Sequence, residues 1–174
     1  MGMAMIIGID PGLSGAVVAL DINGRLFSWN DCPVLDITKT KRDFLPARMA
    51  TVARSFVTAC HTHPDSPVFY IEKSQPMPKQ GVTSTFKTGR GFGLWEGIIA
   101  ALGYPYTLVR PREWQQEMYK GITGEGKARS FLACENLFPD LPLTKPRGTK
   151  LTMDGRSDAA LIARYGWLKE RGKL

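Results

Sequence analysis

The stretch MIIGIDPGLSGAVVAL, residues 5–20, decides the fold. Residues 3–9 are short and almost continuously apolar, which is typical of a buried strand. The Pro-Gly pair that follows Asp10 forces a turn, and Ala16–Leu20 predicts a second strand. Residues 21–24 end in Asn-Gly, the strongest short-range hairpin signal, and lead into a third strand over 25–29. We therefore expect three antiparallel strands at the start of the sheet.

Helical and extended segments alternate after this hairpin. Apolar residues recur at i, i+3, i+4, i+7, i+8 and i+11 over 49–60, which predicts an amphipathic helix. Residues 31–45 carry mixed charge and are predicted to be a loop. Residues 67–71 predict a strand that joins the first sheet by a parallel crossover. The other predicted elements are a helix over 83–102, a strand over Tyr106–Val109, a short helix from Pro111, and helices over 128–137 and Asp154–Glu170.

Composition limits the class of protein. A chain of 174 residues that is 43% hydrophobic is expected to be one domain, residues 1–174, with a substantial core. Its net charge of +7 suits a polyanionic partner. Cys32, Cys60 and Cys134 have neither zinc-type spacing nor a disulfide framework. There is no signal-peptide pattern and no apolar run of the roughly 20 residues that span a bilayer. We expect a cytoplasmic protein of a bacterial or phage-infected cell, with no membrane partner.

Four acidic residues carry the functional prediction. Asp10 and Glu72 each end a predicted strand, while Asp154 and Asp158 lie at i and i+4 on one face of the last helix. Taken singly, Asp10 could belong to a strand-ending turn. Asp154 and Asp158 could simply stabilise the N-terminus of the last helix, where negative charge is favoured. Together, the four carboxylates are hard oxygen ligands that suit divalent cations. They could hold two Mg²⁺ ions, with Mn²⁺ expected to substitute, and this arrangement predicts a phosphodiester-cleaving nuclease.

Five segments of the chain resemble the RuvC-type Holliday junction resolvases, and most closely the branch that includes phage and chloroplast resolvases. They are GIDPGLSGA (8–16), YIEK (70–73), TFKTGRGFGLWEGIIAALG (85–103), LVRPREWQ (108–115) and DGRSDAALIARYG (154–166). The resemblance implies an RNase H-like α/β fold, a mixed five-stranded sheet flanked by helices. It places the catalytic, metal-binding residues at Asp10, Glu72, Asp154 and Asp158. The last two are four residues apart here, whereas the familiar bacterial pattern has them three apart.

The resemblance also implies a set of DNA contacts. Lys87 and Arg90 lie in the glycine-rich helix, and Lys127 ends the linker 120–126, where the family places phosphate-contacting lysines; Lys120 is the nearest candidate for a second linker lysine. The loop 73–82 would push a side chain into the unstacked junction centre, and methionine or glutamine could do so. The full predicted DNA-binding set is Lys73, Gln75, Met77, Lys79, Gln80, Lys87, Arg90, Arg112 and Lys127.

The predicted function is cleavage of four-way DNA junctions by paired symmetrical nicks, with no small-molecule substrate. Two equivalent strands need two active sites, which a homodimer with two-fold symmetry supplies. The predicted dimer face is the glycine-rich helix, through Phe92, Leu94, Trp95 and Ile98. The four glycines of this helix allow two interpretations: close packing on the sheet, expected for most of them, or close approach by the DNA backbone.

Three other functions compete with this one. An actin-like ATPase fragment shares the G-I-D-x-G pattern, but it predicts a second such motif and a second domain, for which 174 residues leave no room. A protein that binds junctions without cutting them predicts the loss of one or more acids, yet all four are present. Another RNase H-like nuclease, acting on RNA–DNA hybrids, branched DNA or ordinary duplex, is distinguished only by its substrate.

Overall fold

The computed structural model describes residues 4–39, 41–60, 66–76, 81–143 and 154–174, and of Asp154 it describes only the backbone. The strands are β1 (Ile6–Ile9), β2 (Ala16–Leu20), β3 (Leu26–Asp31), β4 (Val34–Asp36), β5 (Arg42–Phe44), β6 (Val68–Glu72) and β7 (Tyr106–Val109). The helices are α1 (Pro46–Cys60), α2 (Val82–Ala101), α3 (Pro111–Met118), α4 (Gly126–Leu137) and α5 (Asp154–Glu170).

The main sheet is mixed and five-stranded, in the order β3-β2-β1-β6-β7. The first three strands pair antiparallel, as the hairpin predicted, while β6 and β7 pair parallel to β1. Ile9 lies opposite Ile71, and Glu72 lies opposite Val109. The carboxyl ends of β1, β6 and β7 therefore meet at one edge of the sheet. Asp10, directly after β1, and Glu72, the last residue of β6, lie next to each other at this edge.

Helices cover both faces of this sheet. Because alternate strand residues point to opposite faces, Ile6 and Val18 pack with α5, whereas Ile7 and Ile9 pack with α1 and α2. Helix α5 lies directly on β1, since a Cβ at Gly8 would overlap the carbonyl oxygen of Ala159. This close approach brings the first turn of α5 to the same edge of the sheet as the end of β1.

The segment 31–45 departs from its prediction as a loop. It contains β4 and β5, which form a separate two-stranded antiparallel sheet. Each strand is only three residues long and carries charge, so an alternating apolar pattern has no length in which to show itself. Phe44 is buried against α2, where a Cβ at Gly91 would overlap its ring, and this contact anchors the small sheet.

The glycine-rich helix α2 also corrects two predictions. Of its four central glycines, only Gly91 packs closely, because a Cβ at Gly89, Gly93 or Gly97 would meet no atom within 4 Å. Trp95 is fully buried. The predicted dimer face is therefore wrong for this residue, and the other three members of that face, Phe92, Leu94 and Ile98, are half-buried against the same core as Trp95.

None of the helices in the described part of the chain combines the length and the apolar character needed to cross a membrane.

Candidate active site

Asp10 is held in a tight turn directly after β1. Its Oδ1 accepts the backbone N–H of Gly12 at 3.0 Å, and the N–H of Gly15 donates to the carbonyl oxygen of Gly12 at 2.9 Å. The backbone N–H of Asp10 itself donates to Ala16 at 3.0 Å, which closes the turn onto β2. Two backbone–backbone hydrogen bonds and one from the Gly12 backbone to the carboxylate thus fix the place of this half-buried side chain at the sheet edge.

Glu72 is the last residue of β6 and points toward α3. The indole N–H of the fully buried Trp114 donates to its Oε2 at 2.8 Å. Burial raises the pKa of Glu72 to about 7; the hydrogen bond from Trp114 opposes this rise, and the negative charge of Asp158 adds to it. Glu72 and Asp158 are therefore close enough to repel each other when both are ionised.

Asp158 lies one turn into α5 and accepts a hydrogen bond from the hydroxyl of Ser130. Ser130, buried on α4, is also 3.0 Å from the hydroxyl of Ser157. The start of α5 packs on the turn after Asp10, where Gly155 pairs with Gly15 and a Cβ at Gly155 would overlap the carbonyl oxygen of Ser14. The positive end of the α5 dipole thus faces this acidic site and favours its negative charge.

The donor set suits a divalent cation. Two neighbouring, partly buried carboxylates cost free energy unless positive charge lies close by, and the raised pKa of Glu72 expresses that cost. Carboxylate oxygens are the ligands that Mg²⁺ and Mn²⁺ prefer. Among the residues that the structure describes, however, no three His, Cys, Asp or Glu side chains form a group able to hold a metal ion. The predicted side-chain ligand Asp154 lies outside that description.

An open cleft of about 1350 Å³ adjoins Glu72 and Asp158. Its walls come from the segments that follow β6 and β7, from α3 and the linker after it, and from the start of α4, with Thr88 of α2 and Asp158 of α5. The basic residues that line it are Arg110, Arg112, Lys120, Lys127 and Arg129, against the acids Glu72, Glu125 and Asp158. Three predicted DNA-binding residues, Gln75, Arg112 and Lys127, line this cleft together with two of the predicted catalytic acids.

Two other predicted DNA-binding residues, Lys87 and Arg90, lie on α2. Arg90 forms an ion pair with Asp43 and lies 6.0 Å from the centre of the Phe44 ring, so it ties α2 to the small sheet. The backbone N–H of Phe44, followed by the charges of Arg90 and Lys87, lowers the pKa of Asp43. Lys87 and Arg90 are not among the residues that line the cleft.

Lys73 is half-buried, and its backbone N–H continues the sheet by donating to Val109 at 2.8 Å. Met77, Lys79 and Gln80 lie outside the described residues.

Three side chains next to the acids had no role in the sequence prediction. Trp114 and Ser130 hold Glu72 and Asp158 by hydrogen bonds, and Tyr119 packs edge-on against Trp114 with 5.6 Å between ring centres. Burial raises the pKa of Tyr119 to about 12, a rise that a hydrogen bond with Ser130 opposes and the charges of Asp158 and Glu72 reinforce. The LVRPREWQ segment already marked Trp114, but a serine inside a helix carries no such signal.

Comparison with known proteins identifies the fold. No protein-family sequence model matches the chain, and no curated protein matches it by sequence. Among solved structures, it is similar to Thermus thermophilus RuvC bound to a Holliday junction substrate, with 15% identity, a TM-score of 0.60, and 98% of this chain and 97% of that chain covered.

Two further structures agree. A second structure of Thermus thermophilus RuvC has 16% identity and a TM-score of 0.61, with 97% of each chain covered. The yeast mitochondrial Holliday junction resolvase Ydc2 has 16% identity and a TM-score of 0.55, covering 99% of this chain and 80% of that one. The chain therefore shares the fold of these proteins, which confirms the mixed five-stranded, RNase H-like α/β architecture that the resemblance implied.

Proposed function

We propose that the chain is a divalent-metal-dependent endodeoxyribonuclease that resolves four-way DNA junctions. The observation that carries this proposal is the meeting of Asp10, Glu72 and the start of α5 at one sheet edge, beside a cleft lined by five basic side chains. Its fold is that of RuvC, solved in complex with a Holliday junction substrate, and of Ydc2, a mitochondrial Holliday junction resolvase. A basic cleft suits the phosphate backbone of DNA.

The metal-binding roles are proposed from the sequence pattern, and the cleft that Glu72 and Asp158 both line supports them. Asp10 with Asp154 and Asp158 would hold one Mg²⁺ ion, and Asp10 with Glu72 would hold the other. When bound, two such ions would activate a water molecule and stabilise the leaving oxygen of a cleaved phosphodiester. Trp114 and Ser130 orient Glu72 and Asp158 by donating hydrogen bonds to them. The basic side chains along the cleft bind the phosphates on either side of the scissile bond.

The cleft cations give a prediction about binding. Lys127→Gln should weaken binding to junction and duplex alike, because a phosphate contact carries no sequence information. The slope of log affinity against log salt should fall by about 1, as expected for the loss of one phosphate contact. Fluorescence anisotropy in EDTA between low and moderate salt measures both quantities.

The matched control is Lys169→Gln, which removes one exposed lysine at the far end of α5. It should leave the slope unchanged. Equal affinity and slope for Lys127→Gln and the wild type would place the DNA outside this cleft.

We propose in addition that the chain acts as a homodimer through a different face of α2 from the one first predicted. Gly89, Gly93 and Gly97 lie four residues apart, so they share one face of the helix, and that face is open. Phe86 and Val82, on the preceding turns, are 70% and 87% exposed. An exposed apolar surface of this kind favours contact with another protein surface, and a two-fold axis along it would pair two active sites.

This face gives a prediction about oligomeric state. Gly93→Glu should turn a dimer into a monomer, because a charged side chain would occupy the approach between the two helices. The fold should be retained, since glutamate is a better helix former than glycine. Light scattering at micromolar protein concentration measures the mass, and thermal unfolding checks the fold.

Two further variants separate dimer loss from unfolding. Ala47→Glu, on the exposed start of α1, should remain dimeric. Trp95→Glu should lower the unfolding temperature, because this side chain lies in the core of the protomer. A monomeric wild type, or a dimeric Gly93→Glu variant, would rule out this face.

A nicking assay with Mg²⁺ tests the proposed activity against its nearest competitor. The substrates are a four-way junction, a matched duplex, a flap and an RNA–DNA hybrid of the same sequence. The proposal predicts cutting of the junction well before any other substrate. Faster cutting of the hybrid than of the junction would instead show that the chain is an RNase H-like nuclease that acts on RNA–DNA hybrids.

A further inference from the structure

Arg156 is a buried arginine in the first turn of α5, between the two acids of the DGRSD segment. It is 8% exposed, and its guanidinium makes a two-pronged ion pair with Asp31: Nε to Oδ1 at 2.6 Å and Nη2 to Oδ2 at 2.7 Å. Nη1 donates to the carbonyl oxygen of Pro142 at 2.6 Å. The group also lies 3.7 Å from the centre of the Trp29 ring.

The place of this cation is electrostatically unfavourable. The N-terminus of a helix carries partial positive charge and repels a cation. Burying a charge adds a desolvation penalty that only good geometry offsets. Asp31 supplies that geometry, since its carboxylate matches the guanidinium fork. A surface position would avoid the desolvation penalty, whereas the contacts here to Asp31, Pro142 and Trp29 fix the direction of the side chain.

Arg156 points away from the acidic site. Residues two apart on a helix lie on nearly opposite faces, so Arg156 faces away from Asp158. It is absent from the lining of the cleft, whereas Asp158 is part of it. Arg156 is therefore placed to act on the site through the position of the helix.

The ion pair closes a ring of contacts around the start of α5. Asp31 ends β3, and the backbone N–H of the next residue, Cys32, donates to the carbonyl oxygen of Gly15 at 2.8 Å. Gly15 in turn pairs with Gly155, the residue before Arg156. The ring thus runs from α5 to the end of β3, to the turn that holds Asp10, and back to α5.

We infer that Arg156 is a positioning residue that sets the rotation of the first turn of α5 and thereby places its acids against Asp10. Gly155 fixes how closely the helix approaches the turn, and Arg156 fixes how the helix is rotated about its axis. Gly8 against Ala159 and the hydrogen bond from Ser130 to Asp158 hold the helix on one side. The Arg156 ion pair ties its first turn to the end of β3 on the other side. This inference rests on the proposed function for its metal site.

The test compares Arg156→Lys with Arg171→Lys. Arg171 is a matched control because it donates to the carbonyl oxygens of Ile22 and Trp167 and lies 4.0 Å from the centre of the Trp167 ring, at the opposite end of α5. Lysine keeps the charge in both variants and loses the guanidinium fork. The readouts are the unfolding temperature, Mn²⁺ binding to the metal-free protein by calorimetry, junction affinity in EDTA, and the cleavage rate.

Both variants should unfold at a lower temperature than the wild type. Arg156→Lys alone should lose about tenfold or more in Mn²⁺ affinity and in cleavage rate, with junction affinity within twofold of the wild type. Asp31→Asn should reproduce this pattern from β3, and the double variant should be no worse than either single one, because both break the same ion pair.

Unchanged Mn²⁺ affinity in Arg156→Lys and Asp31→Asn would overturn the inference, as would an equal loss in Arg171→Lys. If Arg156→Lys fails to fold, Asp31→Asn decides the question by the same readouts. A wild type that binds Mn²⁺ but cuts no junction would contradict the proposed function alone. The role of Arg156 could still be tested in that case, because calorimetry measures metal binding without any need for cleavage. A wild type that binds no Mn²⁺ would overturn both.

Discussion

Glu72→Gln and Asp158→Asn should each reduce junction cleavage in Mg²⁺ by roughly a thousandfold or more, because each removes a negative charge that holds a catalytic cation worth several kcal/mol to the transition state. The amide keeps the shape of the carboxyl group. Binding to the junction in EDTA should persist, since phosphate contacts supply most of the affinity. Asp10→Asn should behave in the same way, and Asp154→Asn should lose at least about a hundredfold by the same argument.

The cleft provides its own control for this prediction. Glu125 lines the same cleft but is exposed and does not lie at a strand end, so Glu125→Gln should cut junctions at nearly the wild-type rate. Single-turnover assays on a labelled junction compare the variants. Wild-type cleavage by Glu72→Gln would show that the assigned site is wrong.

Relative to Glu72→Gln, the metal-free wild type should lose stability as the pH rises from about 4.5 through 7. The pKa of Glu72 rises from 4.5 to about 7 on folding, so the folded state favours the protonated carboxyl group. Its contribution is fully present below pH 4.5 and is lost as the pH passes 7. A difference of this size corresponds to about 3 kcal/mol.

Chemical denaturation in EDTA at pH 4 and pH 8 measures this difference. Glu72→Gln should match the wild type at pH 4 and exceed its free energy of unfolding at pH 8. Adding Mn²⁺ should restore the wild type at pH 8, because the cation favours the ionised carboxylate and binds only the folded site. Parallel pH profiles for the two proteins would contradict the raised pKa.

The sequence predicts well those features that depend on local patterns. The apolar runs that end at Asp10 and Glu72 identify β1 and β6, and the parallel crossover between them places both acids at one edge of the sheet. The Asn-Gly turn predicts the β2–β3 hairpin, and the DGRSD segment predicts where α5 begins. In each case, the structure that the local sequence favours is also the structure found in the folded chain.

Features that depend on distant partners were missed or wrong. Periodicity indicates that Trp95 is apolar but not whether it packs on its own sheet or on a second chain, and it packs on its own sheet. A glycine pattern is equally ambiguous. A Cβ at Gly91 would overlap the ring of Phe44, whereas a Cβ at Gly93 would have no atom within 4 Å. The ion pair of Arg156 joins residues 125 positions apart, a distance over which no local pattern extends.

The most direct test of paired nicking uses a supercoiled plasmid that extrudes one cruciform, incubated with the wild type and Mg²⁺. Two nicks made within the lifetime of one complex produce linear plasmid, whereas a single nick releases the supercoiling, reabsorbs the cruciform and leaves a nicked circle. We predict that linear plasmid is the main early product and that a plasmid without the cruciform stays intact. Accumulation of nicked circles alone, or equal cutting of the control plasmid, would contradict the account.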